Sequence, residues 1–182
     1  MFFLHLSSID LSKIKEIKFT LGIPFELNHL NPLTQTSPLN VPTMFWVWQT
    51  GHKFLRFEML SEDDSWLFHL GSTGCSAPSP MRPPSIECRH ENRYEITLPL
   101  QNASSVLLTN NNMELISVLK LDLAALLKNI STGKENNCQS SPSEISCQKL
   151  FKNLAYRSDK KKLKEANTQM VFSSSQLSTF KN

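Results

Sequence analysis

Residues 43–59, TMFWVWQTGHKFLRFEM, decide how this chain is read. They predict two strands reversing at Thr50-Gly51, where glycine tolerates the positive φ that a tight turn needs. Side chains of a strand alternate between faces, so Met44, Trp46 and Trp48 share one face of the first predicted strand. Leu55 and Phe57 share a face of the second. Upstream, partial alternation through Ile17, Phe19, Leu21 and Ile23 predicts a strand that stops at Pro24. Residues 26–43 carry Asn28, Asn31, Pro32, Pro38, Asn40 and Pro42 and read as an ordered loop.

Downstream, residues 61–65 read as an acidic turn and residues 66–70 as a strand ending at Gly71. A proline-rich loop over 71–93 holds Cys75 and Cys88, and residues 94–98 form the next predicted strand. Asn110–Asn112 reads as a turn, and residues 115–121 alternate again. Asp122 suits the N-cap of a helix over 123–130. A second helix is predicted over 143–155, where Cys147, Leu150, Phe151 and Leu154 fall on one apolar stripe. Residues 169–173 complete the pattern as a last strand. The expected fold is mainly β, an antiparallel sandwich or open barrel with two short helices.

The chain has 182 residues, 40% of them apolar, enough for one hydrophobic core. Only 19% are charged and the net charge is +3; the densest cationic run, Lys160–Lys162 with Lys164, reads as a solvated tail, not a nucleic-acid footprint. No apolar run reaches the roughly 18 residues of a spanning helix, so no transmembrane segment is expected. Residues 1–6 are apolar but too short for a signal-peptide core, which suggests a start inside a longer reading frame. The four cysteines show no CxxC or common zinc spacing. Of three possible connectivities, local pairing of Cys75 with Cys88 and Cys138 with Cys147 closes two short loops, each bridge contributing roughly 2–3 kcal/mol. Persistent disulfides imply an oxidising compartment.

His29 opens the irregular loop and His69 ends a predicted strand, both suitable places for an imidazole ligand. Imidazole suits copper, zinc, iron and nickel, while the thioether of Met44 and the indoles of Trp46 and Trp48 tilt the choice towards Cu(I). Each residue alone also has a plain reading: a lone histidine as a hydrogen-bonded residue, alternating Met and Trp as core. His52 and His90, with polar neighbours, read as surface residues, and Asp63-Asp64 as a solvated turn. Paired thiols leave no cysteine nucleophile, and GxSxG and HExxH patterns are missing, so a metal-holding protein is expected and not an enzyme.

Residues 19–29, FTLGIPFELNH, resemble a segment of the MbnP-like copper-binding family, also described as the four-Cys member of a metallo-mystery pair. PTMFWVWQTGHKFLRF (42–57) is similar to that family's M-[YF]-W-x-W-Q-x-G-Y-K-F-L-R, and FHLGSTGC (68–75) to its FHLGSTGC. Cys88 with Asn92-Arg93, then Leu121-Asp122-Leu123 and the late cysteine pair, follow in the family's order. The resemblance spans 17–173, taken as a copper-binding domain, with 1–16 as a partial strand or frayed end and 174–182 as a tail. It implies export to a bacterial periplasm or envelope, copper binding, and a di-haem cytochrome c peroxidase-like partner. In characterised relatives that partner oxidises a tryptophan to kynurenine, and the product helps to bind copper. By the same resemblance His29 and His69 match family histidines and Trp46 and Trp48 the W-x-W pair, while His52 stands where the family has tyrosine. In the family a signal peptide and several strands precede the FTLG segment, so a truncated form is expected here. The competing expectation is a disulfide-stapled envelope β-sandwich that binds surfaces or ligands without metal.

Overall fold

A computed structural model describes residues 15–99, 107–109, 112–114, 117–154 and 170–176. Its strands pair antiparallel in twos: β1 (Glu16–Leu21) with β4 (Tyr94–Pro99), and β2 (Lys53–Leu60) with β3 (Ser65–Gly71). Likewise β5 (Leu107–Thr109) pairs with β6 (Asn112–Glu114), and β7 (Ser117–Leu121) with β8 (Phe172–Gln176). The fold is mainly β, as the alternation predicted, and no closed barrel forms among the described residues.

The core follows from the period of two. Trp66, Phe68 and Leu70 of β3 and Tyr94, Ile96 and Leu98 of β4 are buried in one apolar cluster. Phe19 of β1 meets Phe172 of β8 edge to face at 5.6 Å, which ties two of the strand pairs together. Helix α3 (Ile145–Asn153) adds Cys147, Leu150 and Phe151, and Leu154 follows at its end, all from the predicted stripe. Helix α2 (Leu123–Leu126) starts at Asp122, whose carboxylate accepts from the Ala125 amide, and contributes Leu126. It is shorter than its predicted eight residues. Both disulfides form as local pairs, Cys75–Cys88 and Cys138–Cys147, and the second pins the first turns of α3 to the preceding loop.

Three expectations need correction. The segment before the Gly51 turn is not a strand. Proline at position 42 starts a 3-10 turn over Pro42–Met44, and 47–51 closes on itself through Gly51 N–H donating to Val47 O at 2.7 Å. Met44, Trp46 and Trp48 therefore do not share a strand face. Residues 26–43 are ordered but partly helical, with α1 (Phe25–Asn28) and a 3-10 turn at Pro32–Thr34. The last strand begins at Phe172, three residues later than predicted; just before it the Val171 carbonyl accepts from the Asp122 amide at 2.7 Å. The predicted turn over 110–112 and the N-terminal segment 1–14 lie mostly outside the described residues.

Candidate metal centre

Register decides what surrounds His69. In the β2–β3 hairpin His69 pairs with Arg56 and Leu67 with Glu58, so Arg56, Glu58 and His69 stand on the face opposite Leu55, Phe57 and the core. Glu58 Oε1 accepts a hydrogen bond from His69 Nε2–H at 2.6 Å. Arg56 donates twice to the same carboxylate, from Nε at 2.8 Å and from Nη2 at 2.6 Å. Arg56 first, and His69 second, hold the Glu58 carboxyl down to about 2. Glu58 is thus an anion, and its bond fixes His69 as the tautomer with the proton on Nε2.

The other nitrogen, His69 Nδ1, is buried and has no hydrogen-bond partner among the described residues. Burial lowers the His69 pKa, an effect larger than the opposing pull of Glu58, so the ring is neutral at pH 7 and Nδ1 carries a lone pair. A buried acceptor left unpaired costs about 1–3 kcal/mol. Residues 138–140 also hold the His69 backbone: the buried Ser140 hydroxyl donates to the His69 carbonyl at 2.6 Å, and the His69 amide donates to Cys138 O at 2.9 Å.

Trp46 covers this histidine. The two rings are 6.1 Å apart by centroid, and the Lys53 ammonium lies 5.8 Å from the Trp46 ring. Trp46 reaches this position only because residue 71 is glycine. A Cβ there would stand 2.5 Å from Trp46 Cζ3.

His29 is set from the other end of the same loop. Its Nδ1–H donates to the Trp48 carbonyl at 3.1 Å, leaving Nε2 as the acceptor, 3.4 Å from the Asn28 amide nitrogen and 3.7 Å from Cys88 Sγ. Burial is the main reason its pKa is lowered, so this ring too is neutral at pH 7. Asn28 organises the neighbourhood: its side-chain oxygen accepts from the His52 amide at 2.9 Å, and its carbonyl from the His52 ring at 2.7 Å. Gly51, at φ 79°, brings backbone so close to Asn28 that a Cβ would meet its carbonyl oxygen at 2.5 Å.

His52 is not a surface residue. It is 1% exposed, and its two ring nitrogens face the carbonyls of Asn28 and Leu39, so neither is turned towards a metal. Among the described residues, His29, Cys75 and Cys88 form a group whose ligand atoms lie within 4.8 Å of one another; His69 is not in it. With the sulfurs joined, what that group offers a metal is the His29 lone pair.

The model of the MbnP family matches residues 3–141. This chain belongs to the MbnP family. Its structure is similar to that of MbnP from Methylosinus trichosporium, with a TM-score of 0.68 and 22% identity. The match covers 90% of this chain and 63% of that one, so this chain spans under two thirds of the relative's length. Comparison with curated proteins gives no match. Family membership, the antiparallel β fold and the two disulfides agree with the sequence reading. The disulfides fit an exported protein, and among the described residues no helix is long and apolar enough to cross a membrane.

The donors fit a transition metal. Two neutral imidazoles each have one nitrogen tied to an acceptor, the pattern in which an outer carboxylate or carbonyl orients a ligating histidine; the other nitrogen carries the lone pair, without a partner among the described residues in His69 and 3.4 Å from the Asn28 amide in His29. Glu58, Asn28 and Gly71 join the site through contacts that residue type alone does not mark. The signal for Glu58 lay in the strand period, since a face bearing Leu55 and Phe57 leaves Arg56 and Glu58 beside the outward residues of the next strand.

Proposed function

We propose that this protein is an exported copper-binding protein of the periplasm or cell envelope, and not an enzyme. His69 Nδ1 and His29 Nε2 supply the imidazole donors. The observation that carries this reading is the buried Nδ1 of His69, without a hydrogen-bond partner among the described residues and on a ring held neutral while Glu58 fixes the opposite nitrogen. Bound copper would satisfy that lone pair and so remove its desolvation cost.

The same reading makes Trp46 the side chain that a di-haem cytochrome c peroxidase-like partner oxidises to kynurenine. Its ring lies beside His69, whereas Trp48 meets His29 through its backbone carbonyl and packs its ring on Phe45 at 5.8 Å. Opening the indole leaves an aryl amine and an ortho carbonyl next to the imidazole, two further donors. Support for copper over other metals comes from family membership and from the neutral nitrogen donors, which suit copper among others.

Copper titration against a chromophoric chelator tests the reading. The parent chain is expected to bind about one copper, and His29→Ala and His69→Ala to weaken it sharply; unchanged affinity in both variants refutes the assignment. After co-expression with a di-haem peroxidase, peptide mass spectrometry is expected to find the oxygenated residue at position 46. Oxygenation at 48 instead would overturn the choice of indole.

A further inference from the structure

We infer that the Cys75–Cys88 disulfide and His29 form a second, redox-gated site: once the disulfide is reduced, two thiolates and one imidazole hold a soft monovalent copper ion. This inference needs none of His69, Glu58 or Trp46. It does share His29 with the copper reading above, and so redox state, not that residue alone, separates the two.

The geometry is close to that of a bound ion before any metal arrives. With metal–sulfur bonds of about 2.3 Å and metal–nitrogen bonds of about 2.0 Å, a trigonal centre separates its sulfur and nitrogen ligands by about 3.7 Å. Cys88 Sγ and His29 Nε2 are 3.7 Å apart. All three ligand atoms already lie within 4.8 Å of one another. Once the disulfide is reduced, the two sulfurs must separate to about 4 Å for such a centre.

The backbone keeps the pair together without the bond. Thr73 and His90 exchange two hydrogen bonds, 2.8 and 3.0 Å, and the Arg89 amide donates to Gly74 O at 3.2 Å. These three bonds join the residues immediately before Cys75 to those immediately after Cys88. Gly74, at φ 68°, turns the chain into the loop, and a Cβ there would meet Arg89 Cβ at 2.9 Å. Reduction therefore frees two thiols that stay side by side.

The bridge is also open to exchange from one side. Cys75 is half-buried, while Cys88 is 6% exposed and faces His29. An external dithiol attacks Cys75 Sγ and the S–S bond breaks, with Cys88 leaving as a thiolate beside the imidazole. The second thiol of the reductant then displaces Cys75, so the dithiol becomes a cyclic disulfide and delivers two electrons and two protons to the protein. Binding of Cu(I) releases those two protons. Two thiolates with one imidazole is a donor set that selects Cu(I) over harder ions. The other disulfide has no such exposure, as Cys138 and Cys147 are both fully buried.

The test uses the full chain, as oxidised protein and after phosphine reduction, with Cu(I) presented in a chromophoric chelator. Reduction is expected to add one Cu(I) per chain, retained at least tenfold more tightly than by the oxidised protein. Cys75→Ser and His29→Ala should each weaken this added binding at least tenfold, and His69→Ala should leave it in place. X-ray absorption on the reduced, copper-loaded parent chain should show two sulfur scatterers and one nitrogen, a readout that needs no variant to fold. Equal Cu(I) uptake before and after reduction, added binding that survives Cys75→Ser, or a sulfur-free spectrum overturns the inference.

Discussion

Replacing Glu58 tests the orientation argument without touching a ligand. Its carboxylate accepts the hydrogen bond from His69 Nε2–H at 2.6 Å and is the group that leaves the lone pair on Nδ1. Removing an outer-shell partner of a ligating histidine typically costs 10–100-fold in metal affinity. Glu58 is 31% exposed at its side chain and shares its charge with Arg56, so solvent and the guanidinium screen part of the effect. Glu58→Gln keeps an acceptor oxygen and is expected near the lower bound, about tenfold. Glu58→Ala removes the acceptor and lets the ring choose either tautomer, so it belongs nearer the upper bound, about 100-fold. The assay is chelator competition at pH 7, with thermal melts of the metal-free proteins to confirm an intact fold. If Glu58→Ala holds copper as tightly as the parent chain while His69→Ala does not, the carboxylate does not orient the ligand and the reasoning fails.

Three further outcomes follow from the packing and the charges. Gly71→Ala places a methyl 2.5 Å from Trp46 Cζ3 and should displace that indole, seen as a changed Trp emission spectrum and lost oxygenation at position 46. An unchanged spectrum with normal oxygenation would contradict this packing. Phe68→Ala empties a fully buried core position and should lower stability by about 3–5 kcal/mol in urea titration; a loss below about 1 kcal/mol would mean that the core collapses to fill the gap. For the metal-free protein, His29 and His69 have lowered pKa values, so the unfolded chain binds more protons and stability should fall as pH drops below about 6.5. Glu58, lowered from 4.5 to about 2, adds a second loss between those values that Glu58→Gln should abolish. A flat profile from pH 7 to 3 would refute both.

The strands were legible wherever one face is buried. Trp66, Phe68 and Leu70, and likewise Tyr94, Ile96 and Leu98, alternate with outward residues, and that period survives in the structure because a shift by one would expose the core. Helix α3 was legible for the same reason at a different period, its buried residues recurring every three or four positions. The aromatic block failed this rule. Met44, Trp46 and Trp48 alternate on paper, yet Pro42 imposes a 3-10 turn and Gly51 closes a tight loop, and these local constraints outweigh a pattern that no partner strand enforces.

The candidate site was legible in the two imidazoles proposed to bind metal and not in their supports. His29 and His69 were marked by residue type and by their places at a loop and a strand end, but Asn28, Glu58 and Gly71 look ordinary in sequence. Their roles arise from contacts between positions far apart: Asn28 with His52, Glu58 with His69, Gly71 with Trp46. The same non-locality explains the misreading of His52. Its neighbours Gly51 and Lys53 are those of a surface turn, but two carbonyls from residues 28 and 39 close over its ring. Where a histidine has both nitrogens faced by carbonyls it braces the loop; His69 instead buries one nitrogen with no partner among the described residues. That contrast between two buried imidazoles, both within or beside one hairpin, is what separates a structural histidine from a candidate ligand in this protein.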